Sequence, residues 1–152
     1  MSNKADPQAN QQASQQSIAE HAVAALYQRD RASQQLGMRV TECRPGFARV
    51  VMKITGDMVN GHQVCHGGLV FTLADSAFAF ACNSHDRSTV AASATIEFLG
   101  PARAGDELTA VASERWRSRR SGIYEIEVTN QRGETIALFR GRSHEVGGPV
   151  VT

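Results

Sequence analysis

The segment from Gly68 to about Asn83 constrains the fold more than any other part of the sequence. Its residues are apolar on almost every face of a helix. A helix without a polar face lies buried, because each face then needs an apolar neighbour. We therefore expect other elements to surround this helix, namely a curved sheet whose cover a second subunit can complete.

Strand-like runs lie on both sides of this segment and do not alternate with helices. Two runs precede it and four follow it, with glycine-containing turns between most of them. We place the strands at 38–43, 47–54, 89–99, 107–116, 122–129 and 135–144. Strands that come in runs are typical of antiparallel sheets. The order predicts an α+β fold with five to six antiparallel strands curved around one long buried central helix.

The length of the chain indicates one domain, since 152 residues fill a single core. Residues 1–16 are rich in glutamine, alanine and serine, so we expect a disordered N-terminal tail. Ser17 and Glu20 form a capping-box pattern, which predicts a helix from about 18 to 34. The folded domain should then span 17–146, followed by a flexible C-terminus at 147–152.

Charge and cysteine content restrict the partners and the compartment. A net charge of +1 argues against nucleic acid as a partner. The three cysteines are an odd number without a C-x-x-C pair, which indicates free thiols in a reducing cytoplasm. We expect no membrane segment, because the longest apolar run, 69–82, is too short and too polar to span a bilayer. The predicted location is cytoplasmic.

Asp75 is the unusual residue of the apolar helix. Burial of a lone carboxylate is unfavourable unless the group is paired or functional. The helical neighbours of Asp75 at three, four and seven positions carry no positive charge. Two interpretations remain open. Asp75 finds a hydrogen bond or a small solvent gap, or it acts as a general base or nucleophile whose pKa depends on the apolar wall around it.

His66, Gly67 and Gly68 stand where the helix should begin. Glycines at this point expose backbone N–H groups, and the helix dipole favours negative charge there, so an oxyanion hole can form from backbone alone. Gly67 and Asp75 are separated by roughly 12 Å along the helix at 1.5 Å per residue. One carbonyl group cannot touch both within a single chain. A site that uses both therefore needs two antiparallel copies of the helix.

Other patterns are weaker. The sequence contains no G-x-x-x-x-G-K-[ST], G-x-G-x-x-G or G-x-S-x-G motif. Asp57, His62, Cys65 and His66 lack the firm spacing of a zinc site, so we expect no metal and no cofactor. An arginine-rich run ends one predicted strand; it forms either a solvated face or a phosphate clamp. Its members are Arg115, Arg117, Arg119 and Arg120.

Two stretches of the sequence resemble the hotdog-fold acyl-CoA thioesterases, in the branch from bacterial phenylacetic acid degradation. The first is NGHQVCHGGLVFTLADSAFAFACN at 60–83, which carries the pattern Asn60, His66-Gly67-Gly68 and Asp75. The second is ATIEFLGPARAGD at 94–106. The predicted element order fits this family from about residue 18 to 145.

The resemblance implies a role for each matching residue. Asp75 would activate water or attack the thioester, and the Gly67 N–H would polarise its carbonyl. Asn60 and His66 would orient the water, the carbonyl or the loop. The resemblance also implies a hotdog fold and a homodimer that assembles into a homotetramer, with each active site shared between subunits.

The expected activity is hydrolysis of aryl- or arylacetyl-CoA thioesters, such as phenylacetyl- or hydroxyphenylacetyl-CoA, in aromatic degradation. We expect Gly68 to bind substrate, Phe71 and Phe78 to stack on an acyl ring, and Arg117 and Arg119 to hold the nucleotide. Two other functions stay open. One is a non-catalytic acyl-CoA sensor, which assays of thiol release would separate from an enzyme. The other is a hotdog hydratase or dehydratase.

Overall fold

The computed structural model describes residues 6–152. It contains three α-helices, a short 3-10 helix and six strands. The helices are α1 (Pro7–Arg29), α2 (Arg31–Gln35) and α3 (Gly67–Asn83), and the 3-10 helix is Gly56–Met58. The strands are β1 (Arg39–Arg44), β2 (Phe47–Lys53), β3 (Thr89–Phe98), β4 (Glu107–Arg117), β5 (Ser121–Thr129) and β6 (Thr135–Glu145).

The six strands form one sheet in the order β1-β2-β4-β5-β6-β3. Every neighbouring pair is antiparallel. The strand that follows α3 directly, β3, crosses to the far edge of the sheet and pairs with β6. The predicted α+β class with an antiparallel sheet is confirmed, and each strand end lies within one residue of the expected position.

The inner face of the sheet packs on α3, which contacts all six strands. Leu73, Ala77 and Phe80 of α3 are fully buried among apolar residues of the sheet, such as Leu108 and Ile126. Burial of one large apolar side chain in this way contributes about 1.5–3 kcal/mol to the free energy of folding. This contact positions α3 along the concave side of the sheet.

One face of α3 stays uncovered in the single chain. The residues that are incompletely buried recur at helical spacing along one stripe, the α3 stripe: Gly68, Thr72, Asp75 and Ala79. The sheet, α1 and α2 cover most of the remaining surface of α3, so the expected burial on all sides is not reached within one chain. Helix α3 is therefore more apolar than its contact with the sheet alone requires.

The N-terminal part differs from the prediction. The first five residues of the predicted tail lie outside the described residues, and residues 7–16 belong to α1. Helix α1 begins early because the Asp6 side chain accepts the Gln8 N–H and Pro7 occupies the first turn. The predicted capping pattern at Ser17 thus lies inside a helix. A break at Asp30 then separates α1 from α2, where one helix was expected.

The C-terminal residues also differ from the expected flexible end. Val150 is only 3% exposed. Its N–H donates to Asp86 Oδ1 at 2.9 Å, and its carbonyl accepts from Arg29 Nη2 at 2.9 Å. These bonds attach the C-terminus to α1 and to the turn after α3, which corrects the prediction for 147–152.

Candidate active site

Asp75 lies in the middle of the α3 stripe. Its carboxylate is half-buried and makes no hydrogen bond or ion pair with any residue in the described range 6–152. Burial raises the pKa of Asp75 above its ordinary value, and the negative charge of Asp30 raises it further. An unpaired carboxylate with a raised pKa has the properties of a general base or nucleophile. The other interpretation named an intramolecular hydrogen bond or a small solvent gap; the structure shows no such hydrogen bond among residues 6–152, and the partial exposure of Asp75 leaves the solvent gap.

The N-terminus of α3 offers one free backbone donor. His66 is the N-cap, and its Nδ1 accepts the Gly68 N–H at 3.2 Å. The neutral His66 ring therefore carries its proton on Nε2. The Gly67 N–H has no acceptor among residues 6–152. Of the two glycines, Gly67 thus supplies the free donor, at the end of α3 where the dipole favours negative charge.

Phe98, which the sequence analysis did not single out, lies directly against Gly67. A Cβ added to Gly67 would stand 3.2 Å from Phe98 Cζ, so the ring packs on the glycine backbone. Phe98 is the last residue of β3 and is 55% exposed. In the sequence, the only feature that could have pointed to Phe98 is its position in the stretch 94–106, which resembles the family.

Asn60 organises the loop before α3. Its Oδ1 accepts the His62 N–H at 2.9 Å, and its backbone N–H donates to the Val64 carbonyl at 2.8 Å. Val59 and Cys65 form an antiparallel bridge across the same loop. The side-chain oxygen of Asn60 therefore caps the turn of this loop. The His66 N–H extends the bridge by donating to Met58 O at 2.8 Å.

The two phenylalanines predicted to contact an acyl ring lie in different environments in the structure. Phe71 is half-buried, and its ring meets Phe139 edge-on at 5.2 Å. Phe78 is only 1% exposed and packs between Tyr124 and Phe139. Its ring also fills the space in which a Cβ at Gly141 would lie, at 2.6 Å. The prediction that Phe78 binds substrate is therefore wrong, because its ring belongs to the core.

Arg117 and Arg119 are exposed and line a groove of about 640 Å³ with His85 and Arg87. The groove lies at the C-terminal end of α3, because His85 follows that helix. Gly67 is at the opposite end, roughly 24 Å away at 1.5 Å per residue. Within one chain the structure thus does not bring the arginines to the glycines. His85 Nε2 lies 2.8 Å from Glu114 Oε2 beside this groove.

Apart from the two phenylalanines, the predicted site residues therefore form three groups within one chain. Asn60, His66, Gly67 and Gly68 lie in or beside the N-terminus of α3. Asp75 lies eight residues further along the same helix, and the arginines lie beyond its other end. Among residues 6–152, no three His, Cys, Asp or Glu side chains are arranged to hold a metal ion. No helix in that range is long and apolar enough to cross a membrane.

Comparison with known proteins places this geometry in one family. The sequence model of the Thioesterase superfamily matches residues 62–137, which is half of the chain. An acyl-coenzyme A thioesterase of Escherichia coli, PaaI, is 49% identical over 126 residues, covering 83% of this chain and 90% of its own. A putative esterase of Archaeoglobus fulgidus is 36% identical over 121 residues, covering 80% and 79%.

Solved structures agree with the sequence comparison. The structure of the E. coli PaaI protein, from the phenylacetic acid degradation operon, superposes with a TM-score of 0.87 at 47% identity, covering 88% of this chain and 97% of that one. A mutant of the phenylacetic acid degradation protein PaaI of Thermus thermophilus gives a TM-score of 0.72 at 36% identity, covering 75% and 97%. The hotdog fold is confirmed.

Proposed function

The chain belongs to the Thioesterase superfamily and is a thioester hydrolase, and from this premise we propose that its substrates are aryl- or arylacetyl-CoA thioesters. Its products would be the free acid and coenzyme A, within aromatic degradation. The observation that carries the proposal is the unpaired, half-buried carboxylate of Asp75 on a helix whose first N–H is free. The similarity to the E. coli thioesterase PaaI supports the substrate class.

We infer that Asp75 acts on the thioester carbonyl in one of two ways. As a general base, it takes a proton from water while the oxygen of that water attacks the carbonyl carbon. The C–S bond then breaks, and the proton passes to the leaving sulfur. As a nucleophile, the Asp75 carboxylate attacks the carbonyl carbon itself. The C–S bond breaks, the coenzyme A thiolate leaves and takes up a proton, and water hydrolyses the anhydride that remains. Both routes need the ionised carboxylate.

The Gly67 N–H would stabilise the negative charge that develops on the thioester oxygen. It is a free donor at a helix N-terminus, where the dipole adds to the hydrogen bond. His66 would position this donor, because its Nδ1 occupies the Gly68 N–H and leaves that of Gly67 available. Asn60 would hold the loop in the shape that presents the helix end.

Each site would be shared between two subunits. Asp75 and Gly67 are roughly 12 Å apart along α3, which is too far for one carbonyl to touch both. Two α3 helices packed antiparallel along their α3 stripes would place Asp75 of one chain beside Gly67 of the other. The incomplete burial of that stripe supports this pairing. We propose a homodimer that assembles further into a homotetramer.

The acyl ring and the nucleotide would contact separate residues. Phe71 and Phe98 are partly exposed aromatic side chains on or beside the first two turns of α3, and either can face an aromatic acyl group. Gly68 would allow close approach of the thioester. Arg117 and Arg119 would bind coenzyme A phosphates in their groove. The three free thiols fit a cytoplasmic location.

Thiol release from a panel of acyl-CoA substrates tests the proposal. Phenylacetyl- and hydroxyphenylacetyl-CoA should be hydrolysed faster than acetyl- or long-chain acyl-CoA. Asp75→Asn should lower kcat by about 100-fold or more, the scale of a general base. Asp57→Asn, which removes an exposed carboxylate, is the matched control and should leave kcat unchanged. Binding of acyl-CoA without any thiol release would identify a sensor instead.

A further inference from the structure

The corner between α1 and α2 contains a fixed second carboxylate. Asp30 ends α1 and begins α2. Its Oδ1 accepts the Ser33 N–H at 2.9 Å, and its Oδ2 accepts the Ser33 hydroxyl at 2.5 Å. Its own N–H donates to the Tyr27 carbonyl at 3.1 Å. Hydrogen bonds therefore fix both carboxylate oxygens and the backbone N–H of Asp30.

A hydrogen-bond chain connects this corner to α3. Ser33 Oγ lies 2.9 Å from Ser76 Oγ, and both serines are buried. A serine hydroxyl has one proton, and a carboxylate only accepts, so Ser33 donates to Asp30. Ser76 must then donate to Ser33. The chain runs in one direction, from Ser76 through Ser33 to Asp30, and it ends on a negative charge, which strengthens it.

The chain begins on α3 at Ser76, one residue from Asp75. Among residues 6–152, Asp30 is the charged group that acts on the Asp75 carboxylate, and neither the sheet strands nor the rest of α1 adds a second one. The other titratable partner of Asp75 is the Cys82 thiol, two turns along α3. Burial raises the pKa of Cys82 to about 12, so this thiol is neutral.

We propose that Asp30 is a positioning residue for Asp75: through Ser33 and Ser76 it anchors the turn of α3 that carries Asp75, and it holds a second negative charge at the far end of this hydrogen-bond chain. The inference rests on the proposed role of Asp75. A general base is most effective when its pKa lies near the working pH. Asp30 favours the protonated form of Asp75 and so makes its carboxylate a stronger base. Asp30 lies outside the residues that match the family.

The pH dependence of kcat separates the charge of Asp30 from its structural role. Asp30→Asn keeps the size of the side chain and one oxygen acceptor but removes the charge. Because like charge raises the pKa of Asp75, its removal lowers that pKa, and the acid limb of the kcat profile should move to lower pH. At the pH at which the parent enzyme shows half of its maximal kcat, the variant should show more than half of its own maximal kcat. Glu20→Gln on α1 is the control, since Glu20 acts on Cys43 rather than Asp75.

The anchoring role has its own variant. Ser33→Ala breaks the chain and leaves the charge of Asp30 in place. We expect kcat to fall about 10-fold, because misplacement of a catalytic group by a fraction of an ångström is costly. The acid limb should still lie closer to that of the parent enzyme than to that of Asp30→Asn. Melting temperatures of all variants check that each is folded.

The salt dependence of the pH profile gives a second readout, in which the parent enzyme is compared with Asp30→Asn. Mobile ions screen the repulsion between the two carboxylates, so added salt should move the acid limb of the parent enzyme to lower pH. The proposal is overturned if Asp30→Asn and Glu20→Gln give the same pH profile as the parent enzyme, or if the salt response survives in Asp30→Asn. If Asp75→Asn stays active, the proposed function itself has failed, and this result is distinct from either outcome.

Discussion

Mixed dimers of two inactive variants test whether each site is shared. Asp75→Asn removes the proposed base, and Gly67→Val obstructs the proposed oxyanion donor. A valine Cβ at Gly67 would stand 3.2 Å from Phe98 Cζ, so the exposed Phe98 ring must move slightly while the fold is kept. Loss of an oxyanion donor lowers kcat by about 10²–10³. Each variant alone should therefore be nearly inactive.

The expected recovery follows from the separation of the two groups on α3. If one chain supplies Asp75 and its partner supplies Gly67, a mixed dimer holds one site with both groups intact and one site with neither. Equal amounts of the two chains, paired at random, give mixed dimers as half of the population. The mixture should then recover about a quarter of the parent activity, and purified mixed dimers about half.

Differently tagged variants, coexpressed and purified over both tags, provide the mixed dimers for a thiol-release assay. Gly56→Val is the matched control, because a Cβ at Gly56 meets no atom within 4 Å. Mixing that control with the parent chain should leave the rate unchanged. If each site lies within one chain, every chain of a mixed dimer is defective and no activity returns. Absence of activity in purified mixed dimers would refute the shared site.

The remaining predictions concern Asp75, the arginines and Phe98. Because the pKa of Asp75 is raised, its contribution to folding stability is present at low pH and is lost as pH rises through that pKa. Asp75→Asn should therefore raise the melting temperature at neutral pH and not at acidic pH. Equal melting temperatures of the variant and the parent protein at neutral pH would contradict the burial argument. Arg117→Ala with Arg119→Ala should raise KM and leave kcat nearly unchanged, because a phosphate contact is equal in the ground and transition states. The rise should shrink with dephospho-coenzyme A substrates, and an unchanged KM at low salt would return the arginines to a solvated face. Phe98→Ala should raise KM for arylacetyl-CoA more than for acetyl-CoA, and equal effects on both would exclude a contact with the ring.

The fold could be predicted from the sequence because its strongest signals are local. The apolar run that forms α3, and the alternation of apolar and polar residues in the strands, indicate which residues are buried. The start of α1 was missed because a glutamine-rich stretch also has the composition of a disordered tail, and helix formation there depends on the cap at Asp6 and the packing of Ala22 and Val23. The C-terminus was missed because Val150 is held by side chains distant in sequence.

The residues of the proposed site stand out in the sequence, but their surroundings do not. Asp75 and Gly67 stand out by type and spacing alone. Phe78 has the same apolar character as Phe71, and only the sheet decides that Phe78 enters the core. Asp30 could not be predicted, because its effect on Asp75 arises from a tertiary contact between the α1–α2 corner and α3.

In the proposed dimer, the α3 stripe would link assembly of the enzyme to the chemistry of Asp75. In the free chain, this carboxylate keeps part of its water because the stripe is uncovered. In the proposed dimer, a second α3 would cover the stripe and remove more of that water, which further disfavours the charged form. The same pairing would bring the free Gly67 N–H of the partner chain to the carbonyl that Asp75 acts on. One contact would thus strengthen the base and complete the oxyanion site, so an isolated chain would lack both. Such a pairing would give a reason for the one carboxylate without an intramolecular partner that α3 carries on its stripe.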